Sequence, residues 1–376
     1  MQLPPTLVDV SRALFVAAGG GGDAIAASLL HAVVSDSDEP AIVATYAWDR
    51  LLVDPLAGPR SPEDFDGLYR VGRHNFEVVA ETTPRPPAGS TLPRLAQVLP
   101  ARLMLLDPYG GTRRITDQLA ELVKTFGAER IGVVDVGGDV LGQPDDPGLR
   151  SPLADALALA SVAGVDVPAD LYVAGLGLDG ELPSDVVRSR LIDLGATIAF
   201  SLSSEVLSDE WLDLLTWHPS EATALWVAAG LGLRGIVEIR DAGTPVTLTD
   251  DARDVWMRDL RQAIEGSPIA QALLDAETTS LAEVESVVFK SAGRSELEYE
   301  RAKAARQTRD PNVTLTDLEP GVAALQDAAR SRGASYVTFR RLAEGLGCPS
   351  RLDAIRAWLI ETHAERYTPP LWSVAA

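Results

Sequence analysis

Short apolar runs alternate with helical stretches of ten or more residues through most of the first 250 residues, and this alternation restricts the fold more than any other feature. Strands joined by helical crossovers run parallel within one sheet. The pattern therefore predicts an α/β fold with a doubly wound, mostly parallel, Rossmann-like sheet and a helix-rich C-terminal region. The predicted strands lie at residues 12–18, 40–46, 102–107, 131–135, 171–174 and 198–202, with a closing pair at 235–240 and 245–248.

The character of the sequence changes after about residue 249. Helical periodicity dominates there, and Ser280 with Glu283 forms the signature of a capping box. We interpret residues 1–250 as a Rossmann-like ligand-binding domain and residues 251–376 as a mainly helical cap or dimerisation region, because periodicity does not distinguish a cap from an interface. The exceptions in this helical region are β-like runs at 287–290 and 336–339.

Three apolar runs end in a glycine turn that is followed by an aspartate, at residues 19–23, 137–139 and 175–179. Their spacing is too irregular for a solenoid, so we interpret them as repeated use of one local device. Ligands of open α/β sheets bind outside the carboxyl ends of the strands. These turns are therefore predicted to face one site, and the Pro- and Gly-rich residues 51–100 are predicted to contain an excursion over its mouth.

Residues 131–160 form the centre of this predicted site. Clustered carboxylates are costly unless a cation or a proton relieves their repulsion, and oxygen ligands suit Mg²⁺ or Ca²⁺. We expect Asp135, Asp139 and Asp155 to hold a divalent cation, with Mg²⁺ as the candidate, although Asp155 fits a structural helix position about equally well. The expected members of the site in and around this segment are Asp107, Asp135, Gly137, Gly138, Asp139, Ser151 and Asp155.

The loop GGGGD provides a second candidate element. Gly20, Gly21 and Gly22 offer backbone N–H groups without a Cβ at the start of a predicted helix, which is what a phosphate or carboxylate requires, and we expect them to bind the ligand together with Asp23. The alternative is a tight turn with Asp23 as a helix cap. The dinucleotide fingerprint fits poorly, since Ile25 stands where a small residue is wanted, and no Gly-Lys-Ser or Gly-Lys-Thr occurs.

His218 lies on a polar turn, in the sequence WHPSE, between two predicted helices. Histidine is the commonest general acid or base, so we expect His218 to move a proton, with a structural turn as the alternative. Ser220 fits the N-cap of the following helix. With four histidines and one cysteine, Cys348, neither zinc nor haem is expected, and no serine nucleophile elbow occurs.

The formal charge of −21 restricts the partners of this chain. Nucleic acids and anionic membrane surfaces require Lys and Arg, so neither is expected to bind. A small phosphorylated ligand is compatible with this charge, because glycine loops and a bound cation can hold its phosphate locally. We expect a cytoplasmic protein, since the sequence contains neither a signal-like start nor an apolar run of membrane-spanning length. A homodimer would suit the helical region.

The motifs GGGGD at 19–23, DVGGD at 135–139, SPLADA at 151–156 and HPSE at 218–221 resemble the family of unknown function numbered DUF1152. The resemblance covers roughly residues 10–250, with the whole chain as the alternative. No activity comes with that family, so the resemblance implies no catalytic roles.

Together, these features predict an enzyme that acts on a small nucleotide-like or phosphorylated metabolite by metal-assisted hydrolysis or group transfer. Two other classes stay open. One is a dinucleotide-dependent oxidoreductase that uses the first glycine loop, and the other is a non-catalytic binding protein whose acidic cluster only clamps a ligand.

Overall fold

The structure is a computed structural model that describes residues 12–35, 39–306, 310–311 and 313–375. Its described part contains sixteen strands in three sheets. The strands are β1 (Ala13–Ala17), β2 (Ala41–Thr45), β3 (Phe65–Asp66), β4 (Tyr69–Arg70), β5 (Phe76–Val78), β6 (Thr83–Pro84), β7 (Ala101–Leu105), β8 (Arg130–Val136), β9 (Ala169–Ala174), β10 (Thr197–Ser201), β11 (Gly235–Ile239), β12 (Thr244–Leu248), β13 (Asp254–Asp259), β14 (Tyr336–Val337), β15 (Tyr367–Thr368) and β16 (Leu371–Ser373).

Fourteen α-helices connect or cover these strands in the same described ranges. They are α1 (Gly21–Val34), α2 (Leu92–Val98), α3 (Gly111–Phe126), α4 (Pro152–Ala163), α5 (Ser184–Asp193), α6 (Asp209–Leu215), α7 (Glu221–Gly230), α8 (Leu260–Glu265), α9 (Pro268–Ala276), α10 (Leu281–Ala292), α11 (Glu296–Arg306), α12 (Glu319–Ser331), α13 (Phe339–Gly345) and α14 (Leu352–Thr362).

The large sheet has nine strands in the order β10-β13-β9-β8-β1-β2-β7-β5-β4. Its five central strands, from β9 to β7, are parallel, and the flanking strands on both sides are antiparallel. The predicted α/β fold with a mostly parallel central sheet is therefore confirmed. Strands β2 and β7 lie on one side of β1, and the next parallel strands along the chain, β8 and β9, lie on the other side. The direction of winding therefore reverses between β1 and β8.

Helices cover both faces of this sheet because its central strands are buried on both faces. Phe15 and Ala17 of β1 belong to an apolar core that includes α1 and α7. Leu14 and Val16 point the other way, into a second core with α3, α4, α9 and α10. Continuous apolar strands of this kind are typical of parallel sheets, and they explain why the first strands could be recognised in the sequence.

A second sheet of five strands has the order β12-β11-β14-β16-β15. The predicted closing pair is confirmed as the antiparallel β11 and β12, and the β-like run at 336–339 contains β14. The predicted division into residues 1–250 and 251–376 stays a prediction. The segment after residue 250 supplies β13 to the large sheet and β14 to β16 to the second one.

The β-like run at 287–290 was predicted wrongly, because these residues lie within α10. Val284 and Val288 are buried four positions apart on one face of that helix. Packing of this face outweighs the β-propensity of a short run with two valines. The N-terminus of α10 agrees with the capping signature, since the Ser280 side chain accepts a hydrogen bond from the Glu283 N–H.

No helix in the described ranges combines the length and the apolar character that crossing a membrane demands.

Candidate functional site

A cleft opens at the edge of the large sheet where its parallel strands end. The segments that follow β1, β2, β8 and β9 form its floor, and the start of α7 and one face of α11 form its walls. The cleft encloses about 1390 Å³, part of which is open to solvent. It therefore lies at the reversal point between β1 and β8, where open α/β sheets bind their ligands.

Asp23, Asp135 and Asp155 form the first of two acidic triads in the cleft. One carboxylate oxygen of each lies within 4.8 Å of one oxygen of the other two. All three carboxylates are buried, although the Asp23 residue as a whole is partly accessible to solvent. Burial, followed by the charges of Asp23 and Asp179, raises the pKa of Asp135 well above its ordinary value. The Gly138 N–H fixes the Asp135 carboxylate through a 2.8 Å hydrogen bond to Oδ2.

Asp139, Asp179 and Glu181 form the second triad, with the same limit of 4.8 Å between their oxygens. All three residues are buried. Burial, and next the charges of Asp155 and Asp179, raise the pKa of Asp139. Burial and the charge of Glu181 raise the pKa of Asp179 to about 6. The triads are neighbours: Asp135 lies at the end of β8, Asp139 follows that strand, and the charge of Asp135 contributes to the raised pKa of Asp139.

Glu181 differs from the other members of the second triad because both oxygens of its carboxylate accept hydrogen bonds. Ser151 Oγ lies 2.6 Å from Glu181 Oε1, and the Arg150 and Ser151 N–H groups donate to Oε2 at 2.6 and 3.0 Å. Burial raises the pKa of Glu181, but Arg240 and these hydrogen bonds outweigh it and lower the pKa overall. Glu181 is therefore the permanent anion of the second triad.

The sequence analysis did not include Asp179 and Glu181 among the expected site residues. Both follow the third glycine turn, at 175–179, so the repeated pattern of glycine and aspartate was a usable signal. The pattern marks the ends of β1, β8 and β9, which are adjacent in the sheet.

The glycine loop begins α1 directly beside the first triad. Gly20 occupies the N-cap with a φ of 138°, and no side chain caps this helix. Asp23 Oδ2 accepts a 2.6 Å hydrogen bond from the Gly19 N–H, which ties the loop to the triad. Burial raises the pKa of Asp23 to about 7. A Cβ on Gly22 would collide with the Ser220 side chain, so glycine is required there for the close approach of α1 and α7.

His218 lies over the start of α1. Its Nδ1 accepts a 3.2 Å hydrogen bond from the Ser220 N–H, and its buried Nε2 has no hydrogen-bond partner among the described residues. Burial, assisted by Arg356 and Arg94, lowers the pKa of His218 to about 3. The ring is therefore neutral near pH 7 and carries its proton on Nε2. A neutral ring with its proton on Nε2 favours a role for His218 as a hydrogen-bond donor, in place of the proton transfer expected from the sequence.

Three of the expected site residues do not line the cleft. Asp107 caps a short 3₁₀ helix, with Oδ1 accepting a 3.1 Å hydrogen bond from the Tyr109 N–H. Its strand, β7, is separated from β8 by β2 and β1. Gly137 and Gly138 are not among the lining residues, and a Cβ there would collide with Asp179 and Val187 respectively. These glycines make room for the site instead of contacting its contents.

Helix α11 forms one wall of the cleft, whereas the sequence analysis predicted an excursion over its mouth within residues 51–100. Of that segment, only Leu51 lines the cleft. Arg50, which precedes it, lies 3.5 Å from Glu296 Oε1 and 3.8 Å from Glu300 Oε1 on α11. Burial raises the pKa of Glu296 to about 8, although Arg50 lowers it. The remaining contacts of α11 with the cleft come from Tyr299 and Lys303.

Acidic side chains dominate the lining of the cleft. Twelve Asp or Glu residues and five Lys or Arg residues contribute to it. So many carboxylates close together favour a bound cation, and their oxygen-only donor set fits Mg²⁺ or Ca²⁺ better than Zn²⁺. The first triad alone provides three oxygens at a spacing that one such ion can bridge.

Comparison with known protein families identifies a match that covers most of the chain. Residues 14–304 match a family whose description is protein of unknown function (DUF1152). No curated protein and no solved structure matches the chain.

Proposed function

This chain belongs to the DUF1152 family of proteins of unknown function, and from its cleft we propose that it is a metal-dependent enzyme that acts on a small phosphorylated or nucleotide-like metabolite. The reaction class is hydrolysis or group transfer, with Mg²⁺ as the cation. The reaction would take place at the carboxyl edge of the large sheet.

Two triads of mostly buried carboxylates beside an uncapped helix N-terminus are the observation on which this proposal rests. Carboxylates at this spacing repel each other unless protons or cations neutralise them. Burial first, and then the charges of the neighbouring carboxylates, raise the pKa values of Asp135, Asp139 and Asp155. A helix N-terminus attracts anions, so the cleft combines a place for a cation with a place for an anionic group.

The residues divide between these two tasks. Asp23, Asp135 and Asp155 would hold one cation, and Asp139, Asp179 and Glu181 would offer a second position. A bound Mg²⁺ would polarise a phosphoryl oxygen and lower the pKa of a water molecule. The N–H groups of Gly20, Gly21 and Gly22 would orient the anionic group, and α11 would limit the access of water.

We also propose that the large sheet is a doubly wound, Rossmann-like one. Numbered in chain order, its five parallel strands have the order 3-2-1-4-5, which agrees with the first five positions of that fold. The cleft lies at the switch point between the first and fourth of these strands.

The dinucleotide-dependent oxidoreductase is less well supported. Asp49, the acidic residue that follows β2, uses both carboxylate oxygens to accept hydrogen bonds from Thr91, at 3.0 and 2.7 Å. Those oxygens are the ones that a ribose would need. The non-catalytic binding protein remains the alternative that an absence of turnover would favour.

A screen for turnover tests the proposed enzyme. The purified protein is incubated with nucleotides, sugar phosphates and other phosphate monoesters, with and without Mg²⁺, and the products are separated and quantified. We expect turnover of at least one class that requires Mg²⁺ and falls by about a hundredfold or more in Asp135→Asn, since even the outer partners of metal sites are worth about 10–100-fold. Asp107→Asn is the matched control and should keep full activity. Equal turnover by Asp135→Asn would contradict the assigned role.

A further inference from the structure

We propose that His218 and the N-terminus of α1 form one binding site for a phosphoryl group, in which the Nε2–H of a neutral imidazole donates to a phosphoryl oxygen. This inference deepens the proposed function, because it takes the phosphorylated metabolite as its ligand. It assigns His218 to substrate recognition and not to proton transfer.

The helix provides the first half of this site. Helix α1 has fourteen residues, begins after Gly20 and has no side-chain cap. Its first N–H groups have no partner within the helix, and its dipole attracts negative charge to this end. Gly20 needs its φ of 138°, which L-residues rarely adopt, so the loop geometry depends on glycine.

The second half is a buried donor aimed at the same place. His218 is only 4% exposed, and its Nε2 has no hydrogen-bond partner among the described residues. A Cβ built on Gly21, the first residue of α1, would lie 3.2 Å from this nitrogen. An unpaired donor in a buried position is destabilising, and an anion between Nε2 and the helix N-terminus would satisfy both.

The orientation of the imidazole follows from its other nitrogen. Nδ1 accepts from the Ser220 N–H, and Ser220 is itself the N-cap of α7, with Oγ accepting from the Thr223 N–H at 3.4 Å. The ring is therefore held by the start of one helix while it points at the start of another. Trp217 packs edge-on against it, with 5.5 Å between the ring centroids. A fixed neutral donor of this kind suits binding of an oxyanion better than exchange of a proton with solvent.

The surrounding charges agree with a site for an anionic group held beside a cation. Arg94 and Arg356 are the cations that act on His218, and Asp23 is the acidic neighbour at the glycine loop. A cation in the first triad would neutralise Asp23 and its partners. The phosphoryl group would then lie between that cation and the donors of α1 and His218.

Side-chain NMR of the intact protein tests this inference. The Nε2–H signal of His218 is identified among the four histidines by its loss in His218→Leu, and inorganic phosphate is then titrated in the presence of Mg²⁺. We expect the signal to shift on saturation. We also expect phosphate to bind about tenfold or more weakly to His218→Leu, which lacks the donor, and nearly normally to His218→Gln, whose amide N–H reaches a similar position. His363→Gln serves as the control variant.

Two results would overturn the inference: an unchanged His218 signal at saturating phosphate, or equal phosphate affinity in folded His218→Leu. Thermal unfolding of each variant establishes that it is folded. Mg²⁺ binding is measured separately on the same samples. If Mg²⁺ binds and phosphate leaves His218 unaffected, the anion site is wrong and the metal-dependent function stands. If phosphate shifts His218 while no Mg²⁺ binds, the anion site is supported and the metal-dependent function fails.

Discussion

Arg240 Nη2 donates a 3.1 Å hydrogen bond to Glu181 Oε1 across 59 positions of the chain. Arg240 has a φ of 58°, in the left-handed region that non-glycine residues rarely adopt, and its own N–H donates to Glu221. This pairing keeps Glu181 ionised, whereas burial raises the pKa of its neighbour Asp179 to about 6. The acidic cleft therefore contains both a permanent anion and carboxyls that take up protons.

The first prediction concerns pH. The pKa values of Asp23 and Glu296 are raised to about 7 and about 8, from ordinary values of 3.8 and 4.5. In this pH range the folded protein binds protons that the unfolded chain has released, so the free energy of unfolding falls as the pH rises. We expect the thermal midpoint of the metal-free protein to be several degrees lower at about pH 8.5 than at about pH 6. Thermal denaturation in chelator-treated buffer measures this midpoint. A midpoint that rises between these two pH values would contradict the raised pKa values of Asp23 and Glu296.

The second prediction concerns Asp135→Asn. The amide keeps an oxygen that can accept from the Gly138 N–H, and it removes one charge from the repelling cluster. We expect the metal-free variant to be as stable as the wild type or more stable at pH 8, and to lose the stabilisation by Mg²⁺ that the wild type shows. Thermal unfolding with and without Mg²⁺ measures both effects. Asp107→Asn, outside the cleft, should keep the stabilisation by Mg²⁺; its loss there would mean that the cation binds elsewhere.

The third prediction concerns Gly21→Ala. The added Cβ would lie 3.0 Å from Thr91 Oγ1 and 3.2 Å from His218 Nε2, which is tight but allows small adjustments. We expect the variant to fold and to bind phosphorylated ligands about tenfold or more weakly, because the methyl group occupies the position of the anion. Calorimetric titration with the phosphorylated ligand measures this. Unchanged affinity would place the anionic group elsewhere in the cleft.

The fourth prediction concerns Arg50→Met. This substitution leaves Glu296 and Glu300 of α11 without their cationic partner. We expect the free energy of unfolding to fall by about 1–3 kcal/mol. This is less than for a fully buried ion pair, because the Arg50 side chain is 46% exposed. We also expect hydrogen exchange in α11 to be faster in the variant than in the wild type, with exchange in α4 unchanged, since the contact holds α11 against the cleft. Equal exchange rates in variant and wild type would show that Arg50 does not hold α11.

The parts of the site that could be predicted are those formed by local sequence. Each glycine turn with its aspartate follows a buried strand, so the ends of β1 and β8 could be recognised without any knowledge of long-range contacts. The same signal at residues 175–179 indicated β9, but it was not used to include Asp179 and Glu181. The family resemblance is confirmed, and the match extends to residue 304.

The remaining parts depend on contacts between distant segments. Asp107 follows β7, which lies three positions from β8 in the sheet, and local periodicity does not reveal the order of strands in a sheet. The contact between Arg50 and Glu296 joins residues 246 positions apart. His218 carries its proton on Nε2 because Nδ1 accepts from the Ser220 N–H and because burial lowers the pKa of the ring. Burial arises only in the folded chain, so local sequence does not reveal it.

The most direct test of the metal-dependent site is a calorimetric titration of Mg²⁺ into the metal-free protein at about pH 8, where Asp23 is mostly ionised. We expect saturable binding in the wild type and in Asp107→Asn, and strongly weakened binding in Asp135→Asn and Asp179→Asn. Saturable binding with this dependence on the two triads would support the central claim. An absence of Mg²⁺ binding to the wild type, or equal binding by Asp135→Asn, would contradict it.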